Sequence, residues 1–187
     1  MNHITFLGQP CQTGTYVLWL RAQGDLAVSF GRFDGGRPVA VAAGHYAYVG
    51  SAMGRGGASP GGRLLRHATR TAGKPPHAIR AALLAELPAA GLALPRVAPP
   101  PAKRLRWHID YLLDETAVEI VHVTLLRAAV RLESAVAGRL ADAPGAVAVR
   151  PGLGASDTPG ETHLWRLRGE PVDALPYLTD CFHDIMS

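Results

Sequence analysis

Apolar and polar positions alternate from Thr15 to Arg21, in a run rich in β-branched and aromatic residues, and this predicts a strand. Gln23-Gly24-Asp25 is a turn signal, and Leu26 to Phe33 reads as a second strand, so the two together predict a hairpin. Val39 to Ala42 and His45 to Val49 are short extended pieces separated by Gly44. The period then changes. Residues 54–62 form a glycine-rich loop, and the spacing predicts helices over Arg63 to Thr71 and over residues 77–87, the first stopped by Gly73 and Pro75-Pro76. Five prolines between residues 88 and 102 mark an irregular connector. A short helix is expected over Trp107 to Leu113, a strand over Ala117 to Leu125 and a helix over Val130 to Leu140. Short strands at Val147 to Val149 and His163 to Leu167, and a closing helix over 172–186, complete the pattern. The fold class is α+β, an antiparallel sheet with helices packed against it, in a single domain spanning 1–187.

Composition narrows the class. The chain has 187 residues, of which 48% are hydrophobic and 18% charged, enough to bury a core and too apolar for wholesale disorder. No run approaches the roughly 18 apolar residues of a membrane span, so no membrane association is expected. The N-terminus lacks a basic flank before a long apolar stretch, so no signal peptide is read. Cys11 and Cys181 lie at opposite ends. Two cysteines alone make neither a four-ligand zinc site nor a secreted disulfide framework, and reduced thiols in a cytoplasmic protein are the expectation.

Charge changes the picture more. The formal net charge is +4, but residues 35–109 carry eleven basic residues against one acid, Glu86, while residues 110–187 carry six against twelve. Seventeen of the nineteen basic residues are arginines. A concentrated, arginine-rich segment suits a polyanion, because guanidinium pairs bidentately with phosphate. Arg55, Arg66, His67, Arg70 and Lys74 are the candidate nucleic-acid contacts. Arg63, His67 and Arg70 are spaced to share one helix face, with Arg66 flanking it. Tyr16 and Tyr48 can lie on neighbouring strands; a phenol there can move a proton if nearby positive charge depresses its pKa from about 10. Each of these residues also has an ordinary structural reading, in cross-strand packing or on a solvated face.

Four blocks together carry more information: Gly14-Thr15-Tyr16, Tyr48-Val49-Gly50 with Ser51-Ala52, Arg63-Leu64-Leu65-Arg66-His67, and Trp107-His108-Ile109-Asp110-Tyr111-Leu112-Leu113. With Leu132-Glu133, Gly152-Leu153-Gly154-Ala155-Ser156-Asp157 and His163-Leu164-Trp165 following in order, the chain resembles the GIY-YIG nuclease superfamily over about residues 13–167, and within it the stand-alone Uri-type endonuclease branch. The resemblance implies a small antiparallel sheet flanked by helices, with extra strands, and metal-dependent hydrolysis of phosphodiester bonds in DNA. It implies Tyr16 as general base on the attacking water, Tyr48 assisting it, Arg63 on the scissile phosphate, His108 as the site histidine, and Glu133 as ligand to one Mg²⁺ or Mn²⁺. A hard cation of that kind takes oxygen ligands and keeps several waters, so one carboxylate plus substrate phosphate suffices. The alternative is a non-catalytic nucleic-acid-binding module of the same fold.

Three departures accompany the resemblance. Gly14 and Tyr48 lie 34 residues apart, farther than in the superfamily's common core. Residues 71–103 form a proline-rich, basic insert, read as a substrate-binding extension or, by preference, a loop. Thr158 stands where the branch often has cysteine, which makes Asp157 a weak candidate. No Gly-x-Ser-x-Gly, His-Glu-x-x-His or lysine-bearing phosphate loop is present.

Overall fold

The computed structural model describes residues 3–94, 103–155, 160–169 and 179. The class is mixed α+β. The elements run β1 (Ile4–Gly8), β2 (Gly14–Ala22), β3 (Leu26–Val28), β4 (Val39–Val41), β5 (Gly44–Ala52), α1 (Pro60–His67), α2 (Arg80–Ala89), α3 (His108–Leu113), β6 (Val118–Arg127), α4 (Glu133–Asp142), β7 (Ala146–Ala148) and β8 (Leu164–Leu167). Six strands form one sheet in the order β1-β6-β2-β5-β8-β7, and β3 and β4 form a separate pair. Every neighbour in the large sheet is antiparallel except β1 and β6, which run parallel.

Strand alternation divides two cores across the sheet. On β2, Tyr16, Leu18 and Leu20 face the larger cluster, while Val17 and Trp19 face the smaller one. On β5, Tyr46 and Tyr48 share the first face, and Ala47 and Val49 the second. The larger cluster is closed by Leu64 and Leu65 of α1, Leu83 and Leu87 of α2, and Ile109, Leu112 and Leu113 of α3. The smaller is closed by Val136, Ala137 and Leu140 of α4. Trp19, fully buried, donates its indole N–H to Thr124 Oγ1 at 3.0 Å, so its one polar atom is satisfied within the sheet.

The expected hairpin between Thr15–Arg21 and Leu26–Phe33 does not form. Both edges of β2 are taken, by β5 and by β6, each over the full length from Gly14 to Ala22. The second strand shrinks to three residues that pair with β4. A turn signal reports only that the chain reverses; it carries no information about which distant segment buries more surface against β2. The N-terminal strand β1, which the apolar pattern did not reveal, gains its place by pairing with β6 at the sheet edge.

Helix limits shift for local reasons. Ser59 Oγ accepts from Gly62 N at 3.1 Å and Pro60 follows at the first helical position, so α1 begins three residues before the expected Arg63 and ends at His67. Arg70 therefore lies beyond the helix and does not share its face. The helix expected at Val130 begins at Glu133, leaving Val130 exposed. The described part of the 71–103 insert is not a loop: α2 sits in it, with Leu83 and Leu87 completely buried. The helix expected over 172–186, Cys181 and Asp157 lie outside the described residues. Among the described residues, no helix is long and apolar enough to cross a membrane.

Candidate functional site

One polar pocket gathers residues from the whole length of the chain. It is lined by Tyr16, Tyr48, Gly50, Ser51, Arg63, Trp107, Arg131, Glu133, Gly154 and Ala155, and encloses about 30 Å³, room for a water or a small ion beneath an open mouth. Tyr16 and Tyr48 arrive from adjacent strands on one sheet face, Arg63 from the second turn of α1, and Glu133 from the first position of α4. Two glycines of the signature blocks are explained by close approach. A Cβ at Gly14 would collide with the Leu126 carbonyl oxygen of β6, and one at Gly50 would lie 2.5 Å from the Tyr16 hydroxyl. Glycine at these points lets β2 dock on β6 and lets the Tyr16 ring lie flat across β5.

The phenols are deeply set. Tyr16 is 1% exposed, and its hydroxyl shares a 2.8 Å hydrogen bond with His67 Nε2. Burial drives the Tyr16 and Tyr48 phenols well above their ordinary value, and Arg63 only partly offsets this. The condition drawn from the sequence, a phenol made acidic by nearby positive charge, is therefore not met. Tyr16 stands as a neutral hydroxyl against an imidazole. His67 is itself 1% exposed and is pushed down to about 3, by burial first and then by Lys103, with Asp110 opposing.

Glu133 has a different environment. Ser51 Oγ donates to one of its oxygens, Arg131 Nη1 lies 3.5 Å from the same oxygen, and His163 Nδ1 lies 3.3 Å from the other. Burial pushes its carboxyl up, but the contacts with His163 and Ser51 outweigh that and hold it below the usual range. His163 in turn bridges to Glu161 at 2.9 Å. Burial opposes its protonation, yet the two carboxylates raise it above an ordinary histidine. An ionised carboxylate on a small polar pocket is a hard-oxygen ligand of the kind Mg²⁺ or Mn²⁺ takes, the other positions being filled by waters and phosphate oxygens. Among the described residues, no group of three or more His, Cys, Asp or Glu side chains could hold a metal.

The structure brings together Tyr16, Tyr48, Arg63 and Glu133. It does not bring His108 with them. That ring packs edge-on against Phe33 at 5.2 Å, its Nδ1 lies 3.3 Å from the Gly154 N–H, and it is not among the described lining residues. Two other histidines touch lining residues: His67, a candidate nucleic-acid contact from the sequence, meets the Tyr16 hydroxyl, and His163 meets Glu133.

Of the other candidate nucleic-acid contacts, Arg70 is buried, and its guanidinium donates to the Leu113, Pro75 and Val118 carbonyls and to Glu119. It cannot also reach a phosphate. Lys74 is paired with Asp114 at 2.6 Å and Arg66 with Asp110 at 2.7 Å. Part of the positive excess of residues 35–109 is thus neutralised by Asp110, Asp114 and Glu119 just after it. Arg55, Arg104 and Arg106 are exposed, and Arg63 and Arg131 line the pocket, Arg131 also facing Glu133 at 3.5 Å. Arg63, Arg66 and Arg106 also crowd the Trp107 ring, at 4.2, 4.8 and 5.2 Å from its centroid. The Arg63 Nε is buried with no hydrogen-bond partner among the described residues, a donor left over in a pocket wall.

Residues 15–186 match the family model described as Domain of unknown function DUF123, and the chain belongs to that family. No curated protein and no solved structure matches it.

Proposed function

We propose that the chain is a metal-dependent endonuclease of the GIY-YIG kind, hydrolysing phosphodiester bonds in DNA. The observation that carries this reading is the meeting of Tyr16, Tyr48, Arg63 and Glu133, scattered over more than a hundred residues of sequence, on one small polar pocket.

The chemistry follows from these side chains. A backbone phosphate entering the mouth meets the Arg63 guanidinium, which lines the pocket and offers charge-assisted donors to its oxygens. Donors fixed in a poorly solvated wall act most strongly where negative charge builds up on the pentacovalent phosphorus. The Tyr16 hydroxyl, its own proton directed to His67 Nε2, accepts a hydrogen bond from the attacking water and orients it toward phosphorus. As the water adds, its proton passes to solvent, and the departing sugar oxygen takes a proton from solvent, giving one phosphomonoester and one hydroxyl. This role suits a phenol that does not ionise, because it holds the water without having to take its proton. Tyr48, on the same face, narrows the space in which the water can sit. Glu133 would hold the divalent cation, which supplies Lewis-acid stabilisation of the phosphate and lowers the pKa of bound water.

Purified chain incubated with labelled DNA in Mg²⁺ or Mn²⁺ is expected to release fragments, and Glu133→Ala is expected to abolish release. Undiminished cleavage by Glu133→Ala would remove the glutamate from the account. Salt-sensitive DNA binding with no cleavage in either metal would instead favour the non-catalytic module.

A further inference from the structure

Behind His67, on the side away from Tyr16, lies a buried pair of opposite charges that the proposed reaction does not use. Asp110 is completely buried and Lys103 is 3% exposed. Lys103 Nζ lies 3.0 Å from Asp110 Oδ1, and that same oxygen lies 3.8 Å from His67 Nδ1. The other carboxylate oxygen accepts from Arg66 Nη2 at 2.7 Å and from the Arg106 and Trp107 backbone N–H groups at 2.9 and 3.1 Å. Lys103 is the last residue of the sequence insert, and its own N–H reaches the Arg70 carbonyl at 3.4 Å. Burying a lysine is costly, and Arg66 already pairs with the other Asp110 oxygen at 2.7 Å. The position of this one calls for a purpose beyond pairing.

We propose that Lys103 is a positioning residue: pinned to Asp110 behind His67, it fixes the imidazole as an uncharged acceptor for the Tyr16 hydroxyl. The inference rests on the nuclease reading for its purpose, though not for its geometry.

Two groups divide the task. A carboxylate oxygen facing Nδ1 favours the tautomer with the proton on Nδ1, because a lone pair there would face negative charge. That leaves the Nε2 lone pair for Tyr16. A carboxylate alone would also pull a second proton onto the ring and make it a cation with nothing left to accept. Lys103 offsets that pull. The remaining groups around the ring add little negative charge: Arg63 and Arg66 on its own helix, neutral Tyr16 and Tyr48 from the sheet, and the Trp107 ring with centroids 6.1 Å apart. The direction found for His67, down from burial and then from Lys103, agrees with this.

The test is the titration of the His67 ring by nitrogen and carbon NMR on the full chain, the resonances assigned with His67→Gln. The wild type is expected to show a neutral ring carrying its proton on Nδ1 throughout the neutral range. Lys103→Gln, which can still hydrogen-bond Asp110, is expected to raise the ring's midpoint by about one unit or more, and Lys103→Arg to leave it near the wild type. A charged ring in the wild type at neutral pH, an Nε2-protonated ring, or equal midpoints in wild type and Lys103→Gln would each overturn the proposal. Should Lys103→Gln fail to fold, Lys103→Met supplies the uncharged variant. If the chain cuts DNA, the acid limb of cleavage should move up in Lys103→Gln together with the ring midpoint. If it cuts none, the nuclease reading fails, while the ring titration still decides the role of Lys103.

Discussion

Replacing Tyr16 with phenylalanine is expected to reduce DNA cleavage by about 10²-fold or more, the order expected when the group that orients the attacking water is lost. The ring stays where it is, because its place is set by the larger core and by the missing side chain at Gly50. Only the oxygen goes, and with it the link to His67. Stability should fall modestly, by about 1–3 kcal/mol, since a buried imidazole nitrogen loses its partner. The two effects separate cleanly: circular dichroism and a urea melt should report a folded chain, while a single-turnover assay reports the lost rate. A variant cutting at the wild-type rate would leave Tyr16 as a packing residue only.

The second large effect is on stability. Asp110→Ala removes a carboxylate that neutralises Lys103 and Arg66 and accepts two backbone N–H groups ahead of α3. Removing one side of a buried ion pair costs about 3–5 kcal/mol, chiefly because the stranded charge remains buried. For a chain of this size that lowers Tm on the order of 10 °C. The pH dependence gives the sign. Burial pushes the Asp110 carboxyl up, but Lys103 and the Arg106 backbone N–H outweigh it and hold it below the usual carboxylate value. The contribution is therefore full above the unfolded value of about 3.9 and is lost as pH falls through the lower folded one. Urea midpoints should differ strongly between wild type and Asp110→Ala at pH 7 and converge in strong acid. An equal gap at both would show that the aspartate acts through packing rather than charge.

Residue by residue, the sequence was a good guide to what sits on regular strands and a poor one to what depends on distant partners. Tyr16 and Tyr48 lie where alternation puts them, on one face of adjacent strands. Arg63 and Glu133 reach the same pocket from helix starts, and helix starts have local signals: Ser59-Pro60 marks α1 three residues ahead of Arg63. The other end carries no such signal: the helix stops at His67, whose ring meets Tyr16, and Arg70 lies beyond it. His108 stands in the most distinctive block, but distinctiveness of spelling does not say which way a side chain points. In that block it is Asp110 that turns inward, and Trp107 that lines the pocket.

The charge pattern is ambiguous for a related reason. A basic segment followed by an acidic one fits a polyanion partner, and it fits equally a chain that pairs the two with each other. Here Arg66, Arg70, Lys74 and Lys103 all find Asp110, Asp114 or Glu119 within the fold. Only tertiary contacts separate those cases. Arg55, Arg104 and Arg106 stay exposed, and Arg63 and Arg131 face the pocket.

The most direct measurement of the central claim is the rate of DNA cleavage in Mg²⁺ by His67→Ala and His108→Ala, side by side with the wild type and with each variant shown to be folded. The pocket geometry predicts that His67→Ala loses cleavage while His108→Ala retains most of it. Loss in His108→Ala with cleavage intact in His67→Ala would contradict it.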